Sequence, residues 1–139
     1  MKLRVSVSFL ILIGSIAFCT AIAERPANAE NPQPSAKVVE LDTHGKDYLP
    51  LLSGPPESVT MRSGLVVLEP QKSVGKHTTG QNEEILIVLE GSGEMIFHDR
   101  NSLPVQANHA IYCPPQTEHD VRNTGTTILR YVYVVASAK

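Results

Sequence analysis

Two histidines and one glutamate are the side chains of this sequence whose types and spacing could support chemistry. Glu84 stands at the head of Ile85-Leu86-Ile87-Val88-Leu89, a run that is apolar at both parities. A strand with that pattern keeps neither face freely in water. A carboxylate carried into such an interior is costly unless it is paired, protonated or bound to a metal. His77 lies seven residues upstream across a turn containing Gly80 and Asn82, and His119 follows Pro114-Pro115, where the chain re-enters a strand. Two imidazoles and one carboxylate with further positions open form a ligand set suited to a divalent metal ion, Fe, Mn or Zn. The simpler reading is that the histidines hydrogen-bond the carboxylate and no metal enters.

The elements that must position these residues are short β-rich runs at 37–41, 58–62, 64–69, 84–89, 94–98, 109–113 and 127–135, each bounded by Gly, Pro, Asn or Asp. No segment after the first 23 residues carries a sustained 3.6-residue apolar period with caps, so at most a short turn of helix is expected at 46–52. The body is all-β, a sandwich or a barrel. By parity with Glu84, Leu86 and Val88 belong to the inner wall, which suits an apolar or mixed small molecule. Tyr131 and Tyr133 share one parity of the last run. The opposite face of the 84–89 run needs cover from a second sheet or another subunit, and a homodimer is the economical expectation.

The ends and the composition bound the rest. Lys2 and Arg4 precede an uncharged apolar run from Val5 to Phe18, and small residues follow it, the pattern of a signal peptide. Cleavage is expected after Ala23, with Ala27-Asn28-Ala29 as a second site; a retained membrane anchor is the alternative. Export to a periplasm or to the medium follows, with no membrane attachment after cleavage. Removing 23 of the 139 residues leaves 116, enough for one core. The expected organisation is a signal at 1–23, a Pro-containing lead-in at 24–36 and a single domain at 37–139. The chain has 12 basic and 14 acidic side chains, and losing Lys2 and Arg4 shifts the net charge from −2 to −4. That balance argues against nucleic acid as a partner. Cys19 leaves with the signal, so Cys113 has no disulfide partner.

At His77-Thr78-Thr79-Gly80-Gln81-Asn82-Glu83-Glu84, followed after six residues by Gly91, the sequence resembles the first motif of the cupin superfamily: His-x-His, three or four residues, Glu, six residues, Gly. Asn108 through Pro114, His119 and Asn123 is similar to the second motif. The resemblance covers residues 58–136 or so and implies a jelly-roll barrel (a double-stranded β-helix) with a metal inside, and pairing of barrels through their sheets. His77, Glu84 and His119 carry over as ligands. Thr79 occupies the position of the family's second histidine, and a Thr hydroxyl is a poor ligand for these metals; Gln81 or water would have to fill the gap. Gln71, Asn108 and Gln116 replace family glycines, which puts the turns at 71 and 116 in question.

Other groups have bland readings. Glu83 is a solvated or turn residue, Asn123 makes a structural hydrogen bond, Cys113 is a small core hydrophobe, and His44, His98 and His109 fall outside both motifs. Nothing supports a Ser/His/Asp nucleophile turn, a phosphate loop, a CxxC pair or HExxH. The sequence therefore points to a metal-binding barrel that takes a small-molecule ligand. It acts either as a metalloenzyme of dioxygenase, isomerase or lyase type or as a non-catalytic binding module of the cell envelope.

Overall fold

The computed structural model describes residues 33–139. The expected signal peptide with its two candidate cleavage sites, and the expected lead-in up to residue 32, lie outside the described residues. Among the described residues nine strands follow one another: β1 (Tyr48–Ser53), β2 (Arg62–Leu68), β3 (His77–Thr78), β4 (Asn82–Glu90), β5 (Ser92–Phe97), β6 (Leu103–Gln106), β7 (Ala110–Cys113), β8 (Glu118–Arg122) and β9 (Leu129–Ser137). No helix occurs among the described residues. The strands form two antiparallel sheets, β1-β2-β9-β4-β7 and β3-β8-β5-β6, which meets the all-β jelly-roll expectation.

Strict alternation on β4 sets what faces inward. Glu84, Leu86 and Val88 are buried, while Ile85, Ile87 and Leu89 are exposed in the single chain. Pairing then carries this parity across the first sheet. Glu84 lies opposite Val135, and Val135 opposite Arg62; Leu86 lies opposite Tyr133, and Tyr133 opposite Gly64. These inward rows meet Met95, Phe97 and Val121 of the second sheet in a single hydrophobic cluster with Leu86, Val88 and Tyr131. The site therefore sits at one end of the core, where row by row the lining changes from aliphatic to polar.

Several elements differ from the sequence expectation. Residues 46–52 form no helical turn; Tyr48–Ser53 is a strand at the sheet edge, paired with β2. Its weak signal has a cause: Pro50 is tolerated because only an edge strand can spare its ladder donor. A half-buried edge also lacks a deep apolar parity. The runs 37–41 and 58–61 form no strand, and Val38 and Val59 are largely exposed. Their β-branched residues favour extension but have no strand to pair with. The short strands β3 and β6 add to those expected.

The turns in question keep the shape that glycine would give. Gln71, Asn108 and Gln116 have φ of 68°, 67° and 58°, all in the left-handed region. Backbone bonds fix each of them: Gln71 N donates to Asn123 O, Asn108 N to Val88 O and Gln116 N to Gly80 O. The surrounding fold thus imposes a conformation that a glutamine side chain opposes. Gly91 is a true requirement, because a Cβ there would collide with the carbonyl of Ile128.

Candidate metal centre

The two histidines come from facing residues of β3 and β8, where His77 pairs with His119. Their rings lie 4.3 Å apart, centroid to centroid, at 57°. Glu84 enters from β4 of the other sheet. The ligand-type atoms of His77, Glu84 and His119 all lie within 4.8 Å of one another. Glu84 and His119 are buried, and His77 is exposed at the rim.

Each ring has one nitrogen held by a backbone carbonyl. His77 Nδ1 lies 2.9 Å from Gly75 O, and His119 Nδ1 lies 3.3 Å from Thr117 O. A carbonyl can only accept, so both Nδ1 atoms carry protons and both Nε2 atoms are available to the cluster. His119 Nε2 is buried and has no hydrogen-bond partner. It lies 3.2 Å from Glu84 Oε2, close enough for charge attraction. Without a metal, burial opposes a positive charge on His119, but the neighbouring Cys113 thiol and Glu84 carboxylate outweigh it, and the pKa rises to about 10. A buried imidazole nitrogen directed at a carboxylate, with a second imidazole beside it, fits a divalent cation that would replace the proton.

Thr79 has a different task from the histidine it replaces. Its buried Oγ1 donates to Pro114 O at 2.9 Å and accepts from Thr117 N at 3.0 Å. Thr79 N donates to Thr117 O at 3.1 Å, and Gln116 N donates to Gly80 O at 2.8 Å. These bonds stitch the turn between β3 and β4 to the turn between β7 and β8, so His77, Glu84 and His119 are held by one hydrogen-bonded frame. Gln81 is exposed and absent from the cavity wall, whereas Asn82 lines it. The cluster accordingly offers three protein ligands.

The remaining candidates are not among the clustered ligand-type side chains, although Cys113 borders them opposite Glu84. Glu83 points to the opposite face, where Tyr112 Oη donates to it at 3.0 Å. Asn123 is buried; its Nδ2 donates to Leu68 O and Thr127 O, and its Oδ1 accepts from Gly125 N. Cys113 is fully buried with its sulfur 3.3 Å from that of Met95. His44, His98 and His109 are exposed.

A cavity of about 380 Å³ opens beside the cluster. Val66, Leu86, Val121 and Tyr131 form its apolar part, and Arg62, Tyr48 and Tyr133 stand toward its mouth. Arg62 and Tyr48 did not emerge from the sequence reading. The signal that finds Arg62 is its register opposite Val135 and, through it, Glu84, which requires knowing that β2 and β9 pair. A wider, open groove of about 1140 Å³ runs between residues 41–48 and the edge of β2 and β9, away from the three ligand-type side chains.

Residues 64–135 match the family described as "Cupin domain". An oxalate-binding protein of Thermotoga maritima is 33% identical over 69 residues, which are 49% of this chain and 55% of that protein. The chain thus spans little more than half of that relative's length. A crystal structure described as a predicted oxalate decarboxylase from Thermotoga maritima is 26% identical, with a TM-score of 0.52 over 55% of this chain and 65% of that one. A cupin 2 conserved barrel domain protein from Salinispora arenicola is similar in fold at 23% identity, with a TM-score of 0.62 over 75% of this chain and 91% of that one.

Proposed function

The chain belongs to the cupin family, and from that premise we propose that its barrel holds a divalent metal ion through His77, Glu84 and His119 and binds a small ligand beside it. The observation that carries this reading is the buried, unpartnered Nε2 of His119, aimed at Glu84. A buried polar nitrogen without a hydrogen-bond partner is costly, and a metal ion would take the place of its proton and bind it together with the carboxylate. When bound, an Fe, Mn or Zn ion supplies open positions for an oxygen donor and polarises it. The protein's own part is to fix both imidazoles through Gly75 O and Thr117 O, and to wall the ligand with Leu86, Val121 and Tyr131. Similarity to an oxalate-binding protein supports a small ligand held in the barrel.

Turnover of that ligand, by dioxygenase, isomerase or lyase chemistry, is the second reading. The observation favouring it is the commitment of Thr79 Oγ1 to the frame, which leaves an additional metal position for a substrate. Elemental analysis of protein purified without chelators, followed by thermal shift with added Mn(II), Fe(II) and Zn(II), tests the metal. About one ion per chain and a rise in Tm support the proposal; no ion and no shift refute it.

Two further proposals concern setting. Export with cleavage after Ala23 predicts a mature chain beginning at Glu24, read by intact-mass measurement. A homodimer would cover Ile85 and Ile87, which are 39% and 43% exposed. Sedimentation at micromolar concentration tests it, and a pure monomer refutes it.

A further inference from the structure

The mouth of the cavity carries a set of hydrogen-bond donors that the metal cluster does not use. Arg62 projects from the start of β2 on the inward parity, and no carboxylate pairs with it among the described residues. Its Cα lies two strand spacings, roughly 10 Å, from that of Glu84. Beside it, Tyr48 and Tyr133 stack at 6.5 Å with 14° between planes, and their hydroxyl oxygens are 2.9 Å apart. Gly64 permits this pair, because a Cβ there would come within 2.6 Å of the Tyr48 ring and 2.9 Å of the Tyr133 ring. One hydroxyl donates to the other, so the accepting hydroxyl keeps its own proton for a ligand. Burial first, and the bond to Tyr48 next, hold the Tyr133 phenol above its ordinary range, so it stays a donor.

Charge selects the ligand. Glu84 is the one carboxylate among the residues lining this cavity. A divalent ion bound by one carboxylate and two neutral imidazoles leaves a net positive charge at the inner end. Arg62 supplies a second positive charge at the mouth, and the tyrosine pair supplies a donor between apolar walls. Monoanions would satisfy only one end.

We propose that Arg62 and the Tyr48–Tyr133 hydroxyl pair form an anion-recognition arm, and that the ligand is a short dianion such as a dicarboxylate, one end on the metal cluster and the other on Arg62. This rests on the metal reading above and adds to it the ligand's charge class and the residue that selects it. The guanidinium fork suits a carboxylate in two parallel hydrogen bonds.

Calorimetry on Mn(II)-loaded protein tests the arm, with malonate and acetate as probes. Wild-type protein should bind malonate at least about tenfold more tightly than acetate. R62Q should lose about tenfold or more in malonate affinity with acetate little changed, R62K should fall between, and Tyr133→Phe should weaken malonate by a few-fold. Malonate binding indifferent to R62Q overturns the proposal. If wild-type protein takes up no Mn(II), the metal reading fails on its own. The arm is then read from malonate titration of the metal-free protein: loss in R62Q sustains it, and no binding, or binding indifferent to R62Q, overturns it.

Discussion

Replacing His119 by leucine tests whether Glu84 and His119 form a charged, buried unit in the metal-free protein. His119 is 1% exposed and Glu84 7%, and their nearest atoms are 3.2 Å apart. Removing the imidazole leaves a carboxylate in the interior without its cation, and breaking a buried pair in this way costs about 3–5 kcal/mol. Leucine returns roughly 1–2 kcal/mol through apolar burial in the space beside Phe97. The net expectation is a loss of about 2–3 kcal/mol, a fall in Tm of roughly 10 °C for a domain of this size. The double variant Glu84→Leu/His119→Leu removes both charges and should recover most of that loss or exceed the parent. Urea unfolding followed by circular dichroism, with EDTA present, measures all three proteins. The reasoning is refuted if His119→Leu matches the parent, or if the double variant is no more stable than the single one.

Three other outcomes follow from the site and its frame. Gln116→Gly and Gln71→Gly should each stabilise the protein by roughly 0.5–1 kcal/mol, because glycine adopts left-handed φ without the penalty of a Cβ; thermal unfolding reads the gain, and a loss at both positions contradicts it. Thr79→Val should cost about 2–3 kcal/mol by leaving Thr117 N and Pro114 O unpaired in a buried turn, with Thr79→Ser close to the parent in the same assay. His119, with its pKa raised to about 10, must release a proton to a metal; metal affinity should therefore rise by about tenfold per pH unit between about pH 7.5 and 9, as calorimetry would show, whereas a flat profile excludes that exchange. The same shift fixes the sign for folding of the metal-free protein. The pair's contribution is full below His119's unfolded pKa, near 6.5, and is lost as pH rises through about 10.

What was legible in the sequence depended on what local pattern can carry. The all-β body and the inward face of β4 could be read because Glu84, Leu86 and Val88 alternate with Ile85, Ile87 and Leu89 on a strand whose neighbours demand one register. The choice of Glu84 over Glu83 followed from the six-residue count to Gly91, and the structure puts Glu83 against Tyr112 on the other face. β1 was not legible, because Pro50 and a half-buried edge mask its period. Arg62 and Tyr48 reach the cavity through pairings between segments far apart in the chain, which no local pattern specifies. The role of Thr79 was hidden for a related reason: its two partners lie more than thirty residues away, in the turn leading to His119.

In the proposed centre, the imidazoles of His77 and His119 and the carboxylate of Glu84, from two facing sheets, hold one metal ion. Pulsed electron paramagnetic resonance of the Mn(II)-loaded protein addresses it directly, because nitrogen bound to the ion modulates the echo. Two directly bound imidazole nitrogens are expected in the wild-type protein, one in His77→Ala and one in His119→Ala. A spectrum of Mn(II) ringed only by water, or one unchanged by either substitution, would contradict it.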